Sequence, residues 1–276
     1  MSTGQALAAL QMVSGPEVAA NLAVADGLLA EAAAAGAGLA VLPENFAVFD
    51  SGRYAEVALQ LPALLEWLAA AARRHGLWIV AGTLPAASRP DGTPVPAGRV
   101  RSACHVLAAD GRLVARYDKI HLFDVDVDDG VGQYRESASF EPGERPVCVD
   151  TPLGRLGLSV CYDLRFPELY RALADDGASL FSVPAAFTQV TGAAHWQVLL
   201  RARAIENQCH VIGAGQGGQH GPARQTFGHS QIIDPWGTVL AERVPPGPGL
   251  VTALPDRAAR DALQKRMPVR NHRRIR

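Results

Sequence analysis

The chain has 276 residues, with 48% hydrophobic and 19% charged residues and a formal net charge of −1. That length suits one large α/β domain with a sizeable core. The near-neutral charge argues against nucleic acid or an anionic membrane as main partner, since both select a basic face, and no apolar run reaches the ~18 residues of a membrane span. The opening "MSTGQALAALQM" carries no basic n-region, so no secretory signal is expected. The four cysteines, Cys104, Cys148, Cys161 and Cys209, form no CxxC pair. A reducing cytoplasm is therefore expected, and neither a zinc knuckle nor a redox pair.

Strand and helix signals alternate along the chain. A first strand is predicted over 5–13. A helix follows from Pro16 to about Ala35, closed by Gly36 and Gly38. "LAVLPE" (39–44) reads as a short buried strand, and "LPALLEWLAAAARRHG" as a helix from Pro62 to Gly76, with Pro at its start and Gly at its end. A strand over 77–84 leads into a Pro/Gly-rich loop, 85–100. A hairpin is predicted from 101–108 and 112–117 about Asp110-Gly111, and after a long loop a second about Pro152–Gly154. Then come a helix over 167–176, a strand over 179–187, a helix over 193–208 and strands over 209–218 and 229–244, the last turning at Pro235-Trp236-Gly237. A short helix, "RAARDALQKRM", precedes a tail whose end, "RNHRRIR", is basic and reads as solvated or as a subunit contact. The runs are short and continuously apolar, as in strands buried on both faces. They fit a single layered α/β sandwich over 1–276, with a C-terminal tail from about 255.

Three residues carry the chemical signal. Cys161 ends the apolar run "LGLSV" and stands before a polar turn that Pro167 closes into a helix. Reactive groups of α/β folds sit at such carboxyl ends of strands. A free thiol, with a pKa near ~8.5, needs a base. His121, His195, His210 and His229 are all candidates by sequence, and nothing selects one. Glu44, just past the buried strand in "AVLPENF", is the carboxylate option. Lys119, in "RYDKIHLFD", is one of only two lysines among 26 basic residues. A compact ammonium approaches a developing oxyanion as a point charge, which a planar guanidinium does not. Cys104, Cys148 and Cys209 lie in or at the starts of strand-like runs and are assigned to packing. Arg203 and Glu206 are i, i+3 neighbours and are read as a structural pair.

"LPEN", "YDKIHLFD" and "VCYDLRFPELYR" closely resemble, in order and spacing, the three motifs of the nitrilase superfamily of carbon–nitrogen hydrolases, and the likeness runs from about residue 5 to 272. The resemblance implies a four-layer α-β-β-α sandwich, paired into a homodimer or higher homo-oligomer. It implies Glu44 as general base, Lys119 as oxyanion stabiliser, Cys161 as nucleophile and a second pocket glutamate at Glu136. No metal or organic cofactor is implied. Tyr162-Asp163 follows the nucleophile, as in the amidase branches, and the Tyr162 N–H would help hold the oxyanion. Arg165 would grip a substrate carboxylate, or pair with Asp163 or Glu168 instead. "PAAFTQVTGAAHW" resembles the family's substrate-facing loop, which makes Phe187 and Thr191 pocket candidates. "TGAAHWQVLLRARAIENQ", "GHSQIIDPWGTVLAE" and "MPVRNHRR" resemble the branch that acts on deaminated glutathione, close to ω-amidases acting on 2-oxoglutaramate. The expected partner is thus a small-molecule amide, with other aliphatic amidases, N-carbamoyl hydrolases and a silent metabolite-binding member as the remaining readings.

Overall fold

Alternation along the first strand decides the layering. In β1 (Ala6–Gln11), Leu7 and Ala9 join one apolar cluster while Ala8 and Leu10 join another, and all four are fully buried. A strand with both faces covered must lie inside a stack of layers. The computed structural model describes residues 4–222 and 224–275. After β1 come α1 (Val18–Ala34), β2 (Ala37–Val41), α2 (Tyr54–Ala58), α3 (Leu61–His75), β3 (Trp78–Val80), β4 (Leu84–Ala86), β5 (Arg101–Leu107) and β6 (Leu113–Asp118). β2 runs parallel to β1 and β3 parallel to β2, while β5 pairs antiparallel with β3, β4 and β6.

The strand expected over 77–84 is broken into β3 and β4. Gly82 sits between them at φ +44°, where a Cβ would lie 1.9 Å from the Pro43 carbonyl oxygen. The chain bends there to let the 42–45 segment pass. α3 matches expectation, with Pro62 in its first turn and Gly76 left-handed at its end.

The long loop after β6 holds an unpredicted hairpin, β7 (Asp124–Asp126) and β8 (Gln133–Arg135). The second half then builds its own sheet from β9 (Cys148–Thr151) and β10 (Gly154–Leu158), α4 (Pro167–Asp175), β11 (Leu180–Ala185), α5 (Gln189–Asn207) and β12 (His210–Gly215). A small hairpin of β13 (Gly217–His220) and β14 (Arg224–Phe227) intervenes before β15 (Gln231–Ile233) and β16 (Val239–Glu242) complete that sheet. β17 (Gly249–Ala253), also unpredicted, returns antiparallel to β1, and α6 (Arg257–Arg266) follows.

The two sheets meet face to face through β1 against β12 and β2 against β11, with α1 and α3 outside the first and α4 and α5 outside the second. This is the four-layer α-β-β-α sandwich. Leu7, Leu39 and Val41 share a core with Leu156, Leu158 and Val183 between the sheets. Among the described residues no single helix is long and apolar enough to cross a membrane. The basic C-terminal segment is held to its own chain at two arginines, while Asn271, His272, Arg274 and Ile275 stay exposed. Arg270 donates to the Ala178 carbonyl at 3.2 Å, and Arg273 pairs with Asp175 at 2.6 Å.

Two core histidines make the fold acid-sensitive. His105 and His210 are each 1% exposed, and burial pushes them from an ordinary value near ~6.5 down to about 3 and about 4. Between pH 6.5 and those values the unfolded chain takes up protons that the folded chain refuses, so stability is full above that window and falls as pH drops through it. Urea denaturation should show the midpoint falling steadily from pH 7 to pH 5, with up to about 1.4 kcal/mol lost per pH unit per histidine. His210→Gln should flatten that slope; an unchanged slope would contradict the assignment.

Candidate active site

Glu44, Lys119 and Cys161 each stand just past a strand end, and separate backbone bonds fix each one. Beyond β2, the Asn45 N–H donates to Thr83 Oγ1 at 2.8 Å and Gln216 Nε2 donates to the Glu44 carbonyl at 3.0 Å. These hold the 44–45 segment between the two sheets. Past β6, the Lys119 N–H donates to the Ser102 carbonyl at 3.0 Å and the Lys119 carbonyl accepts from the Gly143 N–H at 2.7 Å. After β10, Cys161 opens a 3-10 turn, Cys161–Arg165, in the left-handed region at φ +48°. A non-glycine residue there is strained, and the strain is held by what surrounds it.

Asp163 supplies most of that hold. Fully buried, it accepts from the Tyr117 hydroxyl at 2.7 Å, the Val160 N–H at 2.8 Å and the His121 N–H at 3.1 Å, while His121 Nδ1 lies 2.7 Å away. Tyr117 and His121 flank Lys119, and Val160 precedes Cys161. One carboxylate therefore ties the lysine's segment to the cysteine's turn. Arg203 adds a second tie, donating from Nε and Nη2 to the Leu164 carbonyl at 3.1 and 2.9 Å while pairing with Glu206 at 2.8 Å. That pair is structural, as its spacing implied.

The Lys119 ammonium, 2% exposed, sits 2.8 Å from Glu44 Oε1 and 2.8 Å from both oxygens of Glu136. Glu136 starts a short 3-10 turn, and its Oε2 also accepts the Phe123 N–H at 2.6 Å. Burial by itself favours the neutral amine. The attraction of Glu136 and then Glu44 outweighs it and holds the Lys119 pKa well above the ordinary range. Burial pushes the Glu136 carboxyl up, with Lys119 opposing and Glu44 adding to the rise. Burial also pushes the Cys161 thiol well up, and the neighbouring Glu44 charge adds to that, against the pull of Lys119. The resting site is thus a protonated thiol beside an ion cluster, which suits base-assisted attack and not a standing thiolate.

The cluster forms the floor of a cavity of about 290 Å³. Glu44, Lys119, Glu136, Cys161, Tyr162, Arg165, Phe187 and Thr191 all line it. Thr191 does so from the first turn of α5 and not from a loop. Thr188 caps that helix by accepting the Thr191 N–H at 3.2 Å, so it starts before the predicted residue 193. Arg165 forms an ion pair with neither Asp163 nor Glu168 among the described residues. It stacks on Tyr162 and Phe187, 5.6 and 5.2 Å from their ring centroids, and lies 3.1 Å from His195 Nδ1. Of the four candidate base histidines none lines the cavity: His121 is held by Asp163, His195 by Arg165, His229 by Glu242, and His210 is in the core. Sequence reading missed Tyr54, Phe123, Tyr134 and Arg224, which also line it. Tyr54 comes from α2, and Tyr134 and Arg224 from the two unpredicted small hairpins, where no motif marks them; Phe123 stands just before β7, inside the quoted YDKIHLFD stretch.

Residues 6–264 match the profile of the carbon-nitrogen hydrolase family. The chain is 42% identical over 278 residues to the deaminated glutathione amidase of Yersinia enterocolitica, covering 98% of this chain and 93% of that one. It superposes on the crystal structure of the NitFhit protein of Caenorhabditis elegans with a TM-score of 0.89 at 38% identity, spanning 99% of this chain and 66% of that one. An amidase from Nesterenkonia sp. AN1, solved as a variant with acrylamide added at its active-site cysteine, gives a TM-score of 0.78 at 29% identity over 98% of this chain and 100% of that one.

The raised thiol pKa has a direct readout. Labelling of Cys161 by iodoacetamide, followed by peptide mass spectrometry, should keep accelerating beyond pH 9. A plateau at or below the free-thiol value of ~8.5 would contradict the buried, anion-flanked thiol.

Proposed function

The chain belongs to the carbon-nitrogen hydrolase family, and within it we propose an amidase that hydrolyses deaminated glutathione to 2-oxoglutarate and cysteinylglycine through a thioester on Cys161. The observation that carries this reading is the set of Glu44, Lys119 and Cys161 on the floor of one cavity. The name of the Yersinia relative, at 42% identity over nearly the whole chain, supplies the substrate.

In the proposed reaction Glu44 takes the Cys161 proton as the sulfur attacks the amide carbon. The C–S bond forms, and the carbonyl π electrons move onto oxygen. Lys119 Nζ and the Tyr162 N–H face that oxyanion, a stabilisation worth about 10²–10³-fold per donor. Proton transfer itself frees the ammonium: once Glu44 is protonated, its 2.8 Å contact with Lys119 weakens and the oxyanion takes its place. Glu136 keeps the ammonium charged and aimed throughout. Collapse breaks the C–N bond, Glu44 gives its proton to the leaving nitrogen, and cysteinylglycine departs. Water then loses a proton to Glu44 and attacks the thioester. The C–S bond breaks, 2-oxoglutarate leaves, and Cys161 recovers its proton. Arg165 serves the 2-oxo acid carboxylate, and Phe187 and Thr191 shape the wall beside it.

A homodimer accompanies this reading. Val198, Trp236 and Leu254 stay 67%, 62% and 63% exposed and are apolar candidates for its interface. A reducing compartment such as the cytoplasm suits a nucleophile that must remain a thiol.

Cys161→Ala and Glu44→Gln should each lower kcat on deaminated glutathione by at least about 10³-fold, with circular dichroism unchanged. Wild-type kcat/KM should be higher for deaminated glutathione than for 2-oxoglutaramate. A preference for 2-oxoglutaramate would transfer the protein to ω-amidase activity, and full turnover by either variant would refute the mechanism.

A further inference from the structure

Lys119 is committed to Glu44 and Glu136, and Arg135 to Asp126. Two cationic side chains of the cavity, Arg165 and Arg224, form no ion pair among the described residues, although Arg224 is near enough to Asp129 to help lower its pKa. They stack on different rings. Arg165 stacks on Tyr162 and Phe187. Arg224, from β14, lies 4.3 Å from the Phe49 ring centroid and 5.6 Å from that of Tyr134. Between the two guanidiniums runs an arc of aromatic rings: Tyr134 to Phe123 at 5.1 Å, then Phe123 to Tyr162 at 5.1 Å. The two guanidiniums thus stack on different rings at the two ends of that arc and offer two anion-binding points.

Arg224 also has an unmet demand. Its Nε is buried with no hydrogen-bond partner among the described residues. A guanidinium that only stacked would leave its polar atoms to water, because an unpaired buried N–H is destabilising. The two Nη groups have no hydrogen-bond partner among the described residues either and are not buried, so a carboxylate can dock on them with two charge-assisted bonds.

We propose that Arg224 binds the carboxylate of the leaving group, the C-terminal glycine carboxylate of cysteinylglycine, while Arg165 holds the 2-oxo acid carboxylate at the other end. The inference rests on the proposed function and deepens it. Deaminated glutathione is a chain of three peptide-like units with a carboxylate at each end, roughly 10 Å apart when extended, so one guanidinium cannot serve both. 2-Oxoglutaramate ends in a plain amide and offers nothing to Arg224. The aromatic arc covers the intervening apolar stem. On this view Arg224 determines specificity: it reads the leaving group, and the reacting atoms do not touch it.

The test is a cycle of two changes, Arg224→Gln in the enzyme and amidation of the glycine carboxyl in the substrate. For wild type, amidation should lower kcat/KM about 10- to 100-fold, mainly through KM. Arg224→Gln should lower the ratio of kcat/KM for deaminated glutathione over 2-oxoglutaramate by a similar factor, should be nearly indifferent to amidation, and should be partly rescued by Arg224→Lys. Equal losses on both substrates, or a wild type indifferent to amidation, would overturn the role of Arg224 and leave the amidase reading standing. A wild type that turns over 2-oxoglutaramate but not deaminated glutathione would overturn both.

Discussion

A buried ammonium between two carboxylates is the constraint on which the site depends. Lys119 is almost wholly removed from water, and an unpaired charge there would cost several kcal/mol. It is tolerable only if Glu44 and Glu136 arrive from two other stretches of chain at hydrogen-bond distance. Glu44 comes past the end of β2 and Glu136 from the turn after β8, each with its own backbone restraint. The bend at Gly82 that interrupts the β3–β4 path follows from the same demand, since it leaves room for the backbone before Glu44. The cluster adds function more than stability, because a buried ion group is rarely more stabilising than well-packed apolar residues. It presents a fixed positive charge in a place where water cannot dilute it.

The thiol must then meet that charge at a set distance, and the structure achieves this by joining the two sheets through polar contacts. Asp163 grips Tyr117 and His121 on one side and Val160 on the other, so the strain at Cys161 is supported by the sheet that carries Lys119. Arg203 braces the same turn from α5. None of these groups touches the space above Cys161, yet each restricts where its sulfur can be. In the proposed reaction, preorganisation of this kind lets a neutral thiol react, with base, nucleophile and positive charge aligned before substrate arrives.

The features legible in the sequence were those written in local chemistry. Pro and Gly punctuation outlined α3, and Pro167 marked the start of α4. The scarcity of lysine drew notice to Lys119. The choice of base between Glu44 and four histidines was not legible from spacing alone, because the answer lies in which side chains face one cavity. The resemblance to a known family implied Glu44, and none of the four candidate histidines lines the cavity among the described residues. The small hairpins β7–β8 and β13–β14, and the strand β17, escaped prediction. Their runs of three to five residues are too short or too polar to show a period. Those hairpins bring Tyr134 and Arg224 to the cavity. The part of the pocket proposed to distinguish substrates was thus the least visible in the sequence, while the residues proposed to perform the chemistry were the most visible.

In the proposed mechanism the Cys161 sulfur carries the acyl group between the two half-reactions, and this can be observed directly. Wild-type enzyme mixed with saturating deaminated glutathione is quenched in acid within milliseconds, digested and mass-analysed. A 2-oxoglutaryl thioester is expected on the Cys161 peptide, appearing before free 2-oxoglutarate and vanishing as substrate is exhausted. Steady product formation with an unmodified Cys161 at every time point, or an acyl group on any other side chain, would contradict it.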